Sequence, residues 1–202
     1  MPIDHEDDHH LIVRVREGDL SALGALYDKH RLLVFHTALA ITRDPLAAED
    51  ILQECFLRLH THAGRIDGSL PLAPWLYRVT VNMSYTWVTR DARRQISLEG
   101  LLEYLDRLVA PARAAPEHQA ETRDLRESVQ RAVERLPFNQ RAAIILHYLG
   151  GLDLKEIAFI LDCPVGTVKS RLHHGRETLR AELADRLEPQ TAHAWEVAYD
   201  LV

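Results

Sequence analysis

Between Val165 and Arg180 the chain carries four cations, Lys169, Arg171, Arg176 and Arg180, against one acid, Glu177. Thr167, Ser170 and His173 are interleaved with them. The segment follows a short apolar stretch, Leu154–Leu161, and the punctuation Asp162-Cys163-Pro164. A short helix, a tight turn and a longer donor-rich helix make helix-turn-helix geometry. Thr167 is expected to open the second helix, whose early backbone N–H groups can meet a phosphate. Lys169, Ser170, Arg171, His173 and Arg176 then present donors over successive turns to a DNA major groove. Val168, Leu172 and Leu179 would hold the inner face. A plain helical hairpin with a basic exterior has the same composition, but the Leu154-Lys155-Glu156-Ile157-Ala158 stretch before the turn favours DNA binding.

A second basic stretch lies between Trp75 and Gln95, with Arg78, Arg90, Arg93 and Arg94 against Asp91. Trp75, Leu76, Val79, Met83 and Trp87 predict an apolar helical stripe there, with Arg78, Asn82, Thr86 and Arg93 sharing another face. A third cluster is acidic. Ile51, Leu52, Cys55, Phe56 and Leu59 predict the buried face of a helix, and Asp50, Gln53, Glu54 and Leu57 fall off that stripe. Carboxylates and an amide outside an apolar stripe can pair with a partner's basic side chains, or can be a solvated face.

Other chemistry finds little support. There is no phosphate-cradling glycine loop, nucleophile elbow or HExxH, so an enzyme is not expected. His5, His9 and His10 lie near the start and His60 and His62 end a helix, but no Cys/His spacing resembles a zinc site. No metal and no cofactor are expected. Cys55 and Cys163 form no CxxC and read as small buried residues in a reducing cytosol, which implies a cytoplasmic protein. The acidic N-terminus lacks the basic region of a secretory signal. No apolar run approaches a membrane span, so no membrane insertion is expected.

These surfaces need helices to hold them. The 202 residues are 47% apolar and 6% aromatic, and Leu and Ala dominate, as in helical proteins. With 24 Lys+Arg against 30 Asp+Glu, the net charge of −6 confines the cations to two local faces in an acidic background. Leu11, Ile12 and Val15 predict a short helical segment stopping at Gly18. Asp19 caps a second helix carrying Leu23, Leu26, Tyr27, Val34, Ala38 and Ile41, and Asp44-Pro45 starts a third. A loop from Gly64 to Pro74 precedes the fourth. Pattern weakens from Ile96 to Glu121, returns at Leu125, Val129, Ala132, Val133 and Leu136, and stops at Gly150-Gly151. No strand-period segment appears. The reading is all-α: two small helical domains joined by a flexible linker.

Two separate stretches carry a family resemblance. Asp162-Cys163-Pro164-Val165-Gly166-Thr167-Val168-Lys169-Ser170-Arg171-Leu172, preceded by Leu136-Pro137-Phe138-Asn139-Gln140-Arg141, closely resembles domain 4 of bacterial RNA polymerase sigma factors of the compact extracytoplasmic-function (ECF) type. Gly18-Asp19-Leu20-Ser21-Ala22 and Ala48-Glu49-Asp50-Ile51-Leu52-Gln53-Glu54-Cys55-Phe56 resemble the opening and core-binding helix of sigma domain 2. Trp75-Leu76-Tyr77-Arg78-Val79, followed by Asn82, resembles its promoter-melting helix. The resemblance implies sigma domain 2 over 8–95, a linker over 96–120, sigma domain 4 over 121–187 and a C-terminal extension over 188–202.

It further implies three surfaces. Asp50, Gln53 and Glu54, with Phe56 as local support, would grip the clamp helices of core RNA polymerase, whose flap is a further contact. Arg78, Asn82, Arg90, Arg93 and Arg94 would engage the −10 promoter element. Arg141, Thr167, Lys169, Ser170, Arg171, His173 and Arg176 would serve the −35 element. An anti-sigma factor is an implied partner. Val81 stands where the family often has Arg, and Thr86 where it often has Asp, so the −10 preference does not carry over. A freestanding helix-turn-helix regulator is the alternative. In the extension, Trp195, Ala198, Tyr199 and Val202 fall at helical spacing beyond Pro189, consistent with a tail that docks on one domain or with a frayed end.

Overall fold

Gly18 takes a left-handed backbone, φ +90°, and this turn separates the first two helices. The computed structural model describes residues 5–67, 70–90 and 128–184. Within them α1 is His5–Arg16, α2 is Leu20–Thr42, α3 is Pro45–His62 and α4 is Leu72–Arg90. Residues 128–135 are helical and are termed α5. They precede α6 (Phe138–Tyr148), α7 (Leu154–Ile160) and α8 (Val165–Leu183). No strand occurs among the described residues. The chain divides into two compact units, one built on α1–α4 and the other on α5–α8. The linker over 96–120, Arg93, Arg94 and the extension over 188–202 lie outside the described residues.

In the first unit, polar caps fix where each helix begins. The Asp19 carboxylate accepts from the Ser21 and Ala22 N–H groups at the start of α2 and pairs with Arg14 at 2.6 Å. Hydrogen bonds from the Ser21 hydroxyl and Arg14 hold its carboxyl well below the usual range. Arg43, in the left-handed region at φ 63°, ends α2. Asp44 then caps α3 by accepting from Leu46 and Ala47, with Pro45 in the first turn. Asp44→Ala is expected to cost about 1 kcal/mol, the usual value of an N-cap, read as a lower urea midpoint for helix loss.

The core of this unit is aliphatic, with Leu26, Ile41, Leu59, Leu72 and Leu76 fully buried, and α2 packs on both α3 and α4. Tyr27 meets Phe56 edge to face, centroids 5.0 Å apart. The Arg16 guanidinium donates to the Ala63 and Ile66 carbonyls, tying α1 to the turn after α3. A polar cluster built on the buried Asp8 and His30 joins α1 to α2: Asp8 accepts from His30 Nε2 at 3.0 Å and pairs with the more exposed Lys29 Nζ at 2.9 Å.

The fourth helix corrects the sequence reading twice. It starts at Leu72, so Pro74 lies in its first turn, where a missing N–H costs no intrahelical bond. Its buried stripe is Leu72, Ala73, Leu76, Tyr77, Thr80, Val81 and Ser84, whereas Trp75, Val79, Met83 and Trp87 are only half-buried. The Thr80 hydroxyl shows how a polar position can lie on that stripe. Thr80 donates to the Leu76 carbonyl and lies near the buried Cys55 Sγ, so a polar residue satisfied on its own helix occupies the core. Burial pushes the Cys55 thiol up to about 12.

In the second unit, α7 has only 7 residues and a reciprocal cap. Asp153 accepts from the Lys155 and Glu156 N–H groups while Glu156 Oε2 accepts from the Asp153 N–H. The bonds from Glu156 and Lys155 lower the Asp153 pKa. Gly151, φ +64°, and Asp162, φ 48°, supply the left-handed turns on either side of α7. The longer helix α8 runs from Val165 to Leu183 behind Pro164, since proline's fixed φ suits the position preceding a helix, and Thr167 stands in its first turn. Gly175 lets α8 approach α6: a Cβ there would stand 3.0 Å from Ile144 Cγ1. No helix among the described residues is long and apolar enough to cross a membrane.

Candidate functional site

On α3, Ile51, Leu52, Cys55, Phe56 and Leu59 are buried as the spacing predicts. Asp50 and Gln53 are exposed and Glu54 is half-buried. Glu54 Oε1 accepts from Arg58 Nε at 2.8 Å. Phe56, 5% exposed, packs on Tyr27 and can support the face without touching a partner. Two residues that the sequence reading did not assign extend it. Leu46 and Leu57 are 72% and 58% exposed, and with Asp50 and Gln53 they fall at i, i+4, i+7 and i+11, on one side of the helix. An exposed leucine at each end of a polar patch is the visible signal.

On α4, Arg78, Asn82, Thr86 and Arg90 succeed one another at four-residue steps and so form one ridge. Asn82, Thr86 and Arg90 are exposed and Arg78 is half-buried. Beside them runs the half-exposed flank Trp75, Val79, Met83 and Trp87. A groove of about 450 Å³ between α3 and α4 is lined by Asp50, Glu54, Asn82, Thr86, Trp87 and Arg90 among others. The residues assigned to a protein partner and those assigned to DNA therefore meet in one place, which the sequence reading kept apart.

On α8 the buried positions are Val168, Leu172, Gly175, Leu179 and Leu183. Lys169, Ser170 and His173 face solvent, as do His174, Glu177 and Arg180; Thr167, Arg171 and Arg176 lie at the half-buried flanks. Several predicted donors are engaged within the unit. Arg171 Nη1 lies 3.4 Å from Cys163 Sγ. Arg176 Nε donates to the Tyr148 hydroxyl at 2.7 Å, its guanidinium 5.6 Å from that ring's centroid. Arg141 donates through Nη2 to the Glu134 and Leu136 carbonyls, serving the C-terminal end of α5. Among the described residues, no group of three His, Cys, Asp or Glu side chains is placed to hold a metal.

Comparison with known proteins decides between the two expected classes. Residues 26–94 match the family described as Sigma-70 region 2, and residues 126–179 that described as Sigma-70, region 4. The chain is 33% identical over 181 residues to the ECF RNA polymerase sigma factor SigW of Bacillus subtilis, covering 86% of this chain and 95% of that protein. It belongs to the ECF sigma factors. The ECF sigma-E factor of Escherichia coli is 31% identical over 186 residues, covering 85% of this chain and 92% of that protein. Among solved structures, CnrH in complex with the cytosolic domain of CnrY has the same fold at a TM-score of 0.66 and 20% identity, over 90% of this chain and 99% of that one. The sigma factor RpoE with the anti-sigma factor NepR from Bartonella quintana matches at a TM-score of 0.57 and 21% identity, over 80% of this chain and 98% of that one. This sigma factor is thus a core-polymerase-binding, promoter-directing initiation protein with a helix-turn-helix DNA-binding unit, α7 and α8 forming that motif. The freestanding regulator is not favoured.

Proposed function

We propose that the three surfaces of this ECF sigma factor divide the work of initiation. The Asp50, Gln53 and Glu54 face of α3, flanked by Leu46 and Leu57, binds the clamp helices of core polymerase, and the flap is a second contact of the chain. The Arg78–Arg90 ridge of α4, continued by Arg93 and Arg94, engages the −10 element. Its cations hold phosphates, and the half-exposed Trp87 and Met83 offer apolar surface to an unstacked base. Lys169, Ser170 and His173 at the front of α8, with Thr167, Arg171 and Arg176 at its flanks, read the −35 element. Arg141, whose guanidinium also holds the Glu134 and Leu136 carbonyls, completes the −35 set. The protein works in the cytoplasm and performs no covalent step. An anti-sigma factor is a further partner, consistent with the anti-sigma complex of a structural relative.

The observation that carries this reading is one of sidedness. On α3 and α8, Asp50, Gln53, Lys169, Ser170 and His173 are exposed opposite a buried apolar stripe, so they are available to partners without cost to the core.

The test is run-off transcription from a genomic fragment library with core polymerase, with and without the chain, followed by binding of the chain alone to the selected promoters. Specific transcripts are expected only with both proteins. The free chain, at net charge −6, is expected to bind the selected duplexes poorly in about 150 mM salt, because long-range attraction to phosphates is weak and screened. Tight, sequence-selective binding by the free chain without any transcript would instead establish a freestanding regulator.

A further inference from the structure

We propose that His173 and His174 couple −35 recognition to proton uptake, with His174 as a DNA-contacting residue beyond the assigned set. The inference rests on α8 reading the −35 element. It starts from the charge that the front of α8 has available. Arg171 lies against Cys163, Arg176 is braced by Tyr148 and Arg180 is ion-paired to Glu177. Among the described residues Lys169 alone of the helix's lysine and arginine side chains has no such partner, so it is the one permanent charge of the solvent front that the unit does not hold in place.

His173 and His174 stand on that front, both exposed, with ring centroids 5.4 Å apart and planes tilted by 56°. Each lies one helical turn beyond Lys169 or Ser170, and so on the same side of α8. Imidazole is the side chain whose charge changes between pH 5 and 8, and protonation turns both ring nitrogens into donors. Two protonated rings would add two positive charges to this front. Bound phosphates favour the charged form of a ring beside them, so DNA binding favours proton uptake.

The charged and titratable groups around the two rings belong to α8 itself and to α5, α6 and α7. On α8 the acid of the front is Glu177, engaged by Arg180. On α6, which packs on α8, Arg141 faces the Glu134 and Leu136 carbonyls, His147 the Leu152 carbonyl and Tyr148 the Arg176 guanidinium. On α7, Glu156 is bonded to the Asp153 N–H and Lys155 is exposed. On α5, Arg135 is paired with Glu182, and Arg131 and Glu134 complete the charged groups.

The test uses holoenzyme assembled from core polymerase and the full chain, with a labelled duplex of a promoter selected by run-off transcription. Equilibrium anisotropy is measured at pH 6 and pH 8 at constant ionic strength. Wild type is expected to bind about tenfold tighter at pH 6, with a log–log salt slope steeper by about one to two, the signature of one or two added phosphate contacts. The double variant H173Q/H174Q should bind weakly at both pH values, and H174R, with a permanent charge, should lose much of the pH dependence by binding tightly at pH 8. Both positions face solvent, so helix content should not change. A double variant that keeps the wild-type pH dependence, or a wild type without one, overturns the proposal. If Lys169→Ala still weakens binding in that case, the −35 reading of α8 stands. If Lys169→Ala also has no effect, that reading falls with it.

Discussion

Replacing Asp50 and Glu54 together by Lys is expected to abolish association with core polymerase while leaving the chain folded. Asp50 is exposed, and Glu54 is a half-exposed partner of Arg58 in an i,i+4 ion pair. Such pairs at the surface contribute about 0.3–0.5 kcal/mol, so losing this one leaves the buried Ile51, Leu52, Cys55, Phe56 and Leu59 stripe in place. Across an interface the same substitutions put like charges against a basic partner, at a cost of several kcal/mol. A difference of that size lowers affinity a hundredfold or more, since each 1.4 kcal/mol or so is tenfold. The measurement is co-elution of the variant with core enzyme beside its far-ultraviolet dichroism. Undiminished co-elution of a folded variant would remove α3 from the polymerase interface.

The second large effect is on stability. Asp8 is 2% exposed and His30 3% exposed, with Lys29 closing the cluster. Asp8→Ala leaves the buried His30 ring without its acceptor and Lys29 without its counter-charge, and leaving a buried polar group unsatisfied costs about 1–3 kcal/mol. That is a large part of the 5–15 kcal/mol or so that holds a typical domain. The same cluster gives the stability a pH dependence. Burial raises the Asp8 pKa, but the hydrogen bonds from His30 and Lys29 and the charges behind them outweigh it, so the pKa is lowered overall. A carboxylate held below its unfolded value of about 3.9 stabilises fully above that pH, and its contribution is lost as pH falls through the lower folded value. In urea, wild type should therefore lose stability towards acid more steeply than Asp8→Ala, with the two converging at the lowest pH. Parallel curves would show that Asp8 is not ionised in the fold.

Helix placement was largely legible because its signals are local. Asp19, Asp44 and the apolar positions of α3 announce themselves by residue type at fixed spacing, and the Asp153–Glu156 pair of α7 was an equally plain signal left unread. The buried stripe of α4 was not legible. Thr80 and Ser84 count as polar in a binary pattern, while Trp75 and Trp87 count as core, and only the packing of α2 and α3 decides which side faces inward. The engagement of Arg141 and Arg176 was hidden for a related reason. A donor-rich helix looks alike whether its guanidinium groups point to DNA or, as with Tyr148, to a neighbouring helix. The two assigned surfaces of the first unit meet across the α3–α4 groove, a proximity between helices that no spacing within one helix can reveal.

The unequal burial of the two free cysteines has a practical consequence. Cys55 is enclosed, its sulfur within 4.0 Å of the Thr80 hydroxyl and its thiol held protonated to about 12, so alkylating reagents that require a thiolate will pass it by. Cys163, read from the sequence as buried, is half-exposed in the turn between α7 and α8, because it sits in the turn rather than on a core-facing stripe. A maleimide dye added to the native protein should load at that turn alone, giving the wild-type chain a single optical reporter beside its recognition helix without any cysteine having to be removed first.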